Sequence, residues 1–111
     1  MHRVCRLDDI EPESGACALV DGEQVALFRV GGSVFALGNG DPFSGANVLS
    51  RGIVGDVRGE PVVASPVYKQ HFSLATGRCL EDESVSVPVF SARIEEGFVL
   101  VGARARPVSS P

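Results

Sequence analysis

The sequence predicts an all-β domain, an antiparallel β-sandwich or small barrel. Three observations lead to this fold class: short apolar segments follow one another closely, turn signals separate them, and no long periodic helical pattern stands out. Many short strands joined by tight turns are typical of sandwiches and barrels. A chain of 111 residues with 44% hydrophobic residues is long enough for one domain with a core and too short for two.

The N-terminal third of the chain predicts an edge strand followed by a three-stranded meander. Asp21-Gly22 is a strong hairpin signal, and Gly31-Gly32 makes the next turn. Residues 7–12, before the meander, are predicted to form a turn with a little helix. The four strands are predicted at residues 1–5, 16–20, 24–30 and 33–37.

A long irregular segment, residues 38–52, interrupts the strand pattern. It is rich in Gly, Asn, Asp, Ser and Pro, and no regular element fits it. A loop of about 15 residues inside a compact domain is usually functional or disordered. Phe43, Val48 and Leu49 give this loop apolar side chains to pack, which favours an ordered loop.

The C-terminal half predicts two further hairpins and a tail. The first hairpin turns near Arg58-Gly59, and the last turns at 95–97. Thr76-Gly77 is a turn, and residues 104–111, with two prolines and two serines, are predicted to be a flexible tail after a single domain at 1–103. The strands and extended segments are predicted at 53–57, 61–64, 72–74, 85–89, 90–94 and 98–101.

The charge of the chain argues against a nucleic-acid partner. Ten basic and 14 acidic side chains give a net charge of −4 and a pI near 5.0, and an acidic domain with scattered arginines does not form a phosphate-tracking surface. No segment approaches the roughly 20 apolar residues needed to cross a bilayer. Charged residues occupy positions 3–13, where a signal peptide would need an apolar run. We therefore expect a cytoplasmic protein with no membrane contact.

The three cysteines do not form a recognisable motif. Cys5, Cys17 and Cys79 are odd in number and far apart, with no Cys-x-x-Cys pair. In a reducing compartment they are expected to be free thiols, with Cys17 in the core because it lies within an apolar strand.

Two loop segments have the frame of a two-loop metal site in which every ligand is replaced. Residues 39–46 and 65–77 resemble the loops of Rieske-type [2Fe–2S] domains, which project from a small antiparallel sandwich and each supply one cysteine and one histidine. On that pattern Asp41 and Phe43 take the first loop's ligand positions, and Ser65 and Tyr68 take the second's. The residues that match the pattern around these positions are Pro42, Pro66, Phe72, Leu74, Thr76 and Gly77.

The residues at the four ligand positions predict that this chain binds neither a cluster nor another metal. Phe43 has no donor atom, and Asp41, Ser65 and Tyr68 offer only oxygen, whereas iron–sulfur clusters are held by thiolates and imidazoles. His71 lies three residues beyond the ligand position. Because a vacated cluster would leave a destabilising void, we expect the Phe43 and Tyr68 rings to lie against each other and fill it. The Tyr68 hydroxyl is then expected to bond to Asp41 or Ser65.

A closer resemblance extends over most of the chain, from Val4 to Val101. The segments that carry this resemblance, in order and spacing, are 26–28, 41–46, 48–52, 65–72 and 79–82. With these segments the chain is similar to the small subunits of bacterial assimilatory NAD(P)H-dependent nitrite reductases.

The resemblance implies a non-catalytic accessory subunit. In that family the large subunit carries flavin, an iron–sulfur cluster and siroheme, and it reduces nitrite to ammonium with electrons from NAD(P)H. The present chain has no Gly-x-Gly-x-x-Gly before a helix and no cysteine quartet, so we expect none of these cofactors in it. The implied partner is the large subunit.

Three neighbouring residues of the second loop form the predicted partner interface. Lys69, Gln70 and His71 lie on the loop that approaches redox partners in cluster-bearing relatives. A solvated turn would explain Lys69 and Gln70 equally well, and a hydrogen-bonded loop residue would explain His71 equally well. Two other functions remain open. One is a Rieske-type ferredoxin electron carrier with an atypical iron site. The other is a hydrolase using Asp41, Ser44 and His71, which no nucleophile-elbow motif supports.

Overall fold

The computed structural model describes residues 1–104, which form nine strands in two antiparallel sheets. Residues 105–111, most of the predicted tail, lie outside the described part. Two short 3₁₀ turns lie at Leu7–Asp9 and Leu49–Arg51. The strands are β1 His2–Arg6, β2 Ser14–Val20, β3 Glu23–Val30, β4 Ser33–Gly38, β5 Ile53–Val57, β6 Glu60–Ala64, β7 His71–Ser73, β8 Val89–Glu95 and β9 Phe98–Arg104.

The larger sheet has six strands in the order β1-β9-β8-β4-β3-β2 and curls into a nearly closed barrel. The predicted meander is present as β2, β3 and β4, and β1 is an edge strand as expected. The turn between β2 and β3 places both Asp21 (φ 50°) and Gly22 (φ 82°) in the left-handed region. Such turns match the twist of the flanking strands. The same two-residue pattern recurs at Arg58-Gly59 and Glu96-Gly97.

Strand β3 is buried on both faces and separates two hydrophobic cores. Val25 and Leu27 point into the barrel, whereas Ala26 and Phe28 point towards the smaller sheet; all four are at most 1% exposed. Successive strand residues face opposite sides, so a strand covered on both sides needs a continuous apolar run.

The smaller sheet, β5-β6-β7, forms the second core with the irregular segment before it. Leu49, Val63, Phe72 and Leu74 are at most 1% exposed and belong to the same core cluster as Phe28. This core anchors both segments that the sequence singled out, since one precedes β5 and the other joins β6 to β7.

Three local predictions differ from the structure. Strand β7 begins at His71, one residue earlier than expected. Arg104, assigned to the tail, is the last residue of β9 and pairs with Glu23 at 2.7 Å. Cys17 is exposed, because β2 is an edge strand and its neighbours Ala16 and Ala18 take the positions that pack into the barrel. No helix among residues 1–104 is long and apolar enough to span a membrane.

Candidate functional site: two ligand-free loops

Loop 1, residues 39–52, begins with a closed turn around Asp41. The Asp41 main-chain N–H donates to the carbonyl of Ala46 at 2.8 Å, and the N–H of Gly45 donates to the Asp41 carbonyl at 2.7 Å. The Asp41 side chain accepts from the N–H of Phe43 at 2.9 Å. A side-chain oxygen that accepts an N–H two residues later stabilises a turn without any metal.

Loop 2, residues 65–70, repeats this turn around Ser65. The Ser65 N–H donates to the carbonyl of Gln70 at 2.9 Å, and the N–H of Lys69 donates to the Ser65 carbonyl at 3.1 Å. Ser65 Oγ accepts from the N–H of Val67 at 3.3 Å. Lys69 has φ 67°, at the position equivalent to Gly45 (φ 76°) in loop 1, so the two loops share one backbone frame.

Asp41 and Ser65, the two residues that the Rieske resemblance aligns with cysteines, meet in the interior. Ser65 Oγ donates to Asp41 Oδ2 at 2.5 Å, with the two residues 0% and 1% exposed. Burial by itself raises the pKa of Asp41, but the bonds from Ser65, Phe43 and Ser44 outweigh it and hold the pKa below its ordinary value. Asp41 is therefore a buried carboxylate that joins the two loops through charge-assisted hydrogen bonds.

Phe43 and Tyr68, which the resemblance aligns with histidines, do not meet, and the predicted aromatic pair is wrong. The ring of Phe43 lies against Phe72, with centroids 6.2 Å apart and planes tilted by 48°. Tyr68 is 59% exposed, and its hydroxyl forms no hydrogen bond with any described residue. Phe72, from the following strand, thus takes the place beside Phe43 that was expected for Tyr68.

The three predicted interface residues differ in their surroundings. Lys69 is exposed, whereas Gln70 is half-buried and its amide oxygen is buried without a partner among the described residues. His71 begins β7 and is held by Glu81: its N–H donates to Oε1 and its Nδ1 lies 2.7 Å from Oε2. Of these three residues, only Lys69 is exposed.

Glu81 is a site residue that the sequence analysis missed. Partial burial raises its pKa, but the hydrogen bonds and charge of His71 outweigh this and leave the pKa below its ordinary value. Glu81 also accepts from the buried Cys79 thiol at 3.6 Å. An acidic run at a loop is usually solvated, and nothing local in the sequence pairs Glu81 with a residue ten positions earlier.

Asn39 is a second residue that was missed. It is 2% exposed and its side chain makes four hydrogen bonds. Oδ1 accepts from the N–H of Ser50 at 2.7 Å, and Nδ2 donates at 3.0 Å to Asn47 and to Gln24 and at 3.5 Å to the Cys17 sulfur. It therefore ties both ends of loop 1 to the β2–β3 hairpin. One sequence signal could have identified Asn39: it is an asparagine at the start of a Gly- and Asp-rich segment, and asparagine side chains in such segments often hydrogen-bond to the backbone.

The hydrolase alternative has no assembled site. Asp41 is engaged with Ser65, and the ring of His71 is engaged with Glu81. No hydrogen bond between described residues joins His71 to Ser44, so a base is not in contact with the nucleophile as acyl transfer requires.

The loops do not fit an iron–sulfur cluster. Clusters of this kind need thiolate and imidazole donors, and the two interior positions carry a carboxylate and a hydroxyl in direct contact. The aromatic position of loop 1 is occupied by the packed Phe43 ring, and that of loop 2 points outward. Within residues 1–104, no group of three or more His, Cys, Asp or Glu side chains is arranged to hold a metal ion.

Comparison with known proteins places this fold and these loops in one family. The family described as Rieske-like [2Fe-2S] domain matches residues 1–102. The chain is 52% identical over 100 residues to the nitrite reductase (NADH) small subunit of Salmonella typhimurium, covering 88% of this chain and 93% of that one. The crystal structure of an NADH-dependent nitrite reductase small subunit from Mycobacterium tuberculosis superposes with a TM-score of 0.89 at 52% identity, covering 95% and 96% of the two chains.

A further relative is much longer. The chain is 46% identical over 99 residues to the nitrite reductase [NAD(P)H] large subunit of Klebsiella oxytoca, covering 89% of this chain and 10% of the longer one. A segment similar to almost the whole domain is therefore part of a large-subunit polypeptide in that organism.

Proposed function

Because the chain belongs to the Rieske-like [2Fe-2S] domain family and, within it, to the small subunits of NAD(P)H-dependent nitrite reductases, we propose that it is a non-catalytic accessory subunit that docks on the large subunit. The large subunit is expected to hold the flavin, the iron–sulfur cluster and the siroheme, and to reduce nitrite to ammonium. The present chain contributes a protein surface and no redox centre of its own. Both subunits are expected in the cytoplasm.

The observation that carries this proposal is the contrast between a retained loop frame and a replaced ligand set. Loops 1 and 2 keep the same hydrogen-bonded turn, yet Asp41 and Ser65 bond to each other where two thiolates would hold iron. A protein selected to carry electrons needs its ligands, whereas one selected to present a surface needs only the loops. The near-complete match to small subunits supports the second role.

The long Klebsiella relative supports the choice of partner. A domain that occurs inside a large-subunit polypeptide is held beside the rest of that polypeptide by its covalent linkage. The separate chain described here would need a non-covalent interface to reach the same position. We therefore expect a specific, stable contact with the large subunit.

The first experiment compares the absorption spectrum of the isolated chain with that of the complex purified from its native cells through a tag on this chain. We expect a colourless isolated chain with no iron or acid-labile sulfide, and flavin and siroheme bands in the complex. Rieske-type bands from the chain alone would overturn the proposal in favour of a ferredoxin-like carrier. A tag that retrieves no large subunit would also overturn it.

A second experiment asks what the accessory subunit contributes. The large subunit is assayed for nitrite-dependent NADH and NADPH oxidation alone and with increasing amounts of the small subunit. We expect activity or thermal stability of the large subunit to rise and to saturate at a fixed ratio of the two chains. If neither quantity responds, the chain is not an accessory subunit of this enzyme.

A further inference from the structure

The tip of loop 2 exposes two large apolar side chains next to each other. Val67 is 43% exposed and Tyr68 is 59% exposed. Among residues 1–104, the other large exposed apolar residues lie elsewhere, at the N-terminal Met1 and on the separate strands β2 and β5, as Leu19 and Ile53. Scattered exposed apolar residues need no explanation, but an adjacent pair at a loop tip, with an aromatic member, is typical of a binding surface.

The charge at this tip has a single sign. Across residues 40–47 and 65–70 the only charged side chains are Asp41 and Lys69, and Asp41 is buried. The Lys69 ammonium is exposed and forms no ion pair with any described residue. The tip therefore presents an aromatic ring, an aliphatic side chain and one free cation.

The tip is also held in a defined shape. Lys69 has φ 67°, a conformation that costs a non-glycine residue energy, and its N–H bond to Ser65 maintains it. Ser65 is in turn fixed by Asp41 from the other loop. A preformed tip loses little conformational freedom on binding, so its contacts contribute more fully to affinity.

We propose that Val67, Tyr68 and Lys69, here called the loop 2 tip, are the docking contact for the large subunit, with the Tyr68 ring in an apolar pocket and Lys69 beside a carboxylate at its rim. This inference rests on the function proposed above and identifies the face that performs it. It revises the sequence-based interface by adding Val67 and Tyr68 and by giving Gln70 and His71 a supporting position behind the tip. Tyrosine is among the residues that most often dominate interface energetics.

Charge argues for a different partner protein rather than a second copy of this chain. A symmetric dimer formed through the loop 2 tip would place two Lys69 ammonium groups close together with no exposed carboxylate nearby on either loop. A head-to-tail contact with the acidic run at 81–83 of another copy would leave one free tip and one free run, and would build an open chain unless the copies closed into a ring. A partner protein with its own carboxylate would pair with the Lys69 ammonium and would need neither a symmetric nor a head-to-tail contact between copies.

The test is equilibrium and kinetic binding of the chain to the cofactor-loaded large subunit, measured by biolayer interferometry. Tyr68→Ala is expected to weaken binding about 30-fold or more, as removal of a dominant aromatic contact does. Tyr68→Phe keeps the ring and is expected to stay within about threefold of wild type. Lys69→Glu is expected to slow association and to remove the salt dependence of the rate.

Matched controls separate the tip from general effects. Leu19→Ala removes an apolar side chain on β2 that is 71% exposed and far from loop 2 in sequence, and it is expected to bind like wild type. Lys69→Asn removes the charge with a residue that tolerates positive φ, so it distinguishes the cation from the backbone shape. Circular dichroism of each variant checks that the fold is retained.

Each outcome decides between the two proposals. If wild type binds and Tyr68→Ala binds as tightly as Leu19→Ala, the tip is not the docking contact and the accessory function still stands. If wild type does not bind the large subunit at all, the accessory function itself fails. If sedimentation shows that the wild-type chain dimerises and Tyr68→Ala does not, the tip belongs to a self-contact and the inference is overturned.

Discussion

Removing the hydroxyl of Ser65 tests whether the Asp41–Ser65 bond holds the two loops together. Ser65→Ala deletes one oxygen from a residue that is 0% exposed, so the volume change is small and the main loss is the 2.5 Å bond to the carboxylate. A hydrogen bond to a charged group contributes about 1.5 to 3 kcal/mol. We expect a loss of about 2 kcal/mol in the free energy of unfolding at pH 7, or about 8 °C in melting temperature.

The pH dependence of this loss gives a second, independent signature. The pKa of Asp41 is lowered in the folded protein, so the stability it contributes is fully present above its unfolded pKa of about 3.9 and is lost as pH falls through the folded value. Among the bonds that lower this pKa, the one from Ser65 is the largest. Ser65→Ala therefore has less of this stability to lose, and the gap to wild type should narrow as pH falls below about 4.

Urea denaturation between pH 3 and pH 7 measures both signatures. Ser33→Ala is the control, since Ser33 is exposed and its side chain bonds to none of the described residues; a change within about 0.5 kcal/mol is expected there. A double-mutant cycle with Asp41→Asn should return a coupling of about 1 to 2 kcal/mol. If Ser65→Ala is no less stable than Ser33→Ala, and the gap does not depend on pH, the bond does not hold the loops and this reasoning is wrong.

Three further perturbations probe the surroundings of the loops. Glu81→Gln should lose about 1 kcal/mol at pH 7. Its free energy of unfolding should also fall less steeply than that of wild type below about pH 4.3, because the variant lacks the Glu81 carboxylate, whose pKa is lowered by its contact with His71. Equal urea midpoints for variant and wild type across pH 3 to 7 would contradict this. Gly77→Ala should lower the free energy of unfolding by about 3 kcal/mol, because at φ 75° the added Cβ would lie 2.3 Å from a main-chain oxygen. Gly59→Ala, at φ 86° but in open space, should lower it by about 1 kcal/mol. Equal melting temperatures for the two variants would refute the close approach at Gly77. Phe72→Ala should lower the free energy of unfolding, measured by chemical denaturation, by about 4 kcal/mol, because this 0% exposed ring fills the core beneath both loops. A loss below about 1 kcal/mol would mean that the stability of the loops does not depend on this core.

Most of the fold was predictable from the sequence because its signals are local. The two-residue turn at Asp21-Gly22 needs positive φ at both positions, and aspartate and glycine tolerate it; at Arg58-Gly59 the glycine carries the signal. The continuous apolar run 25–28 corresponds to the one strand that separates the two cores. Strand identity therefore depended on neighbours along the chain, and the boundaries were correct to within a few residues.

The errors concern residues whose environment depends on distant elements. Cys17 lies in an apolar strand yet is exposed, because only the order of strands in the sheet makes β2 an edge. Tyr68 was expected inside and points outward, because Phe72 from the following strand already packs on Phe43. Glu81 was assigned to a solvated run and instead holds His71.

The sequence by itself determined that the chain is an all-β domain with two loops whose positions 41, 43, 65 and 68 carry neither cysteine nor histidine, since strand periodicity, turn chemistry and donor atoms are properties of individual residues and their spacing. Only the tertiary structure decided what the side chains at these positions contact. Residues 41 and 65 are 24 positions apart, and the 2.5 Å hydrogen bond between their side chains exists only because the second core brings the two loops together. Burial, pairing and exposure are set by which elements pack together, and no single segment contains that information.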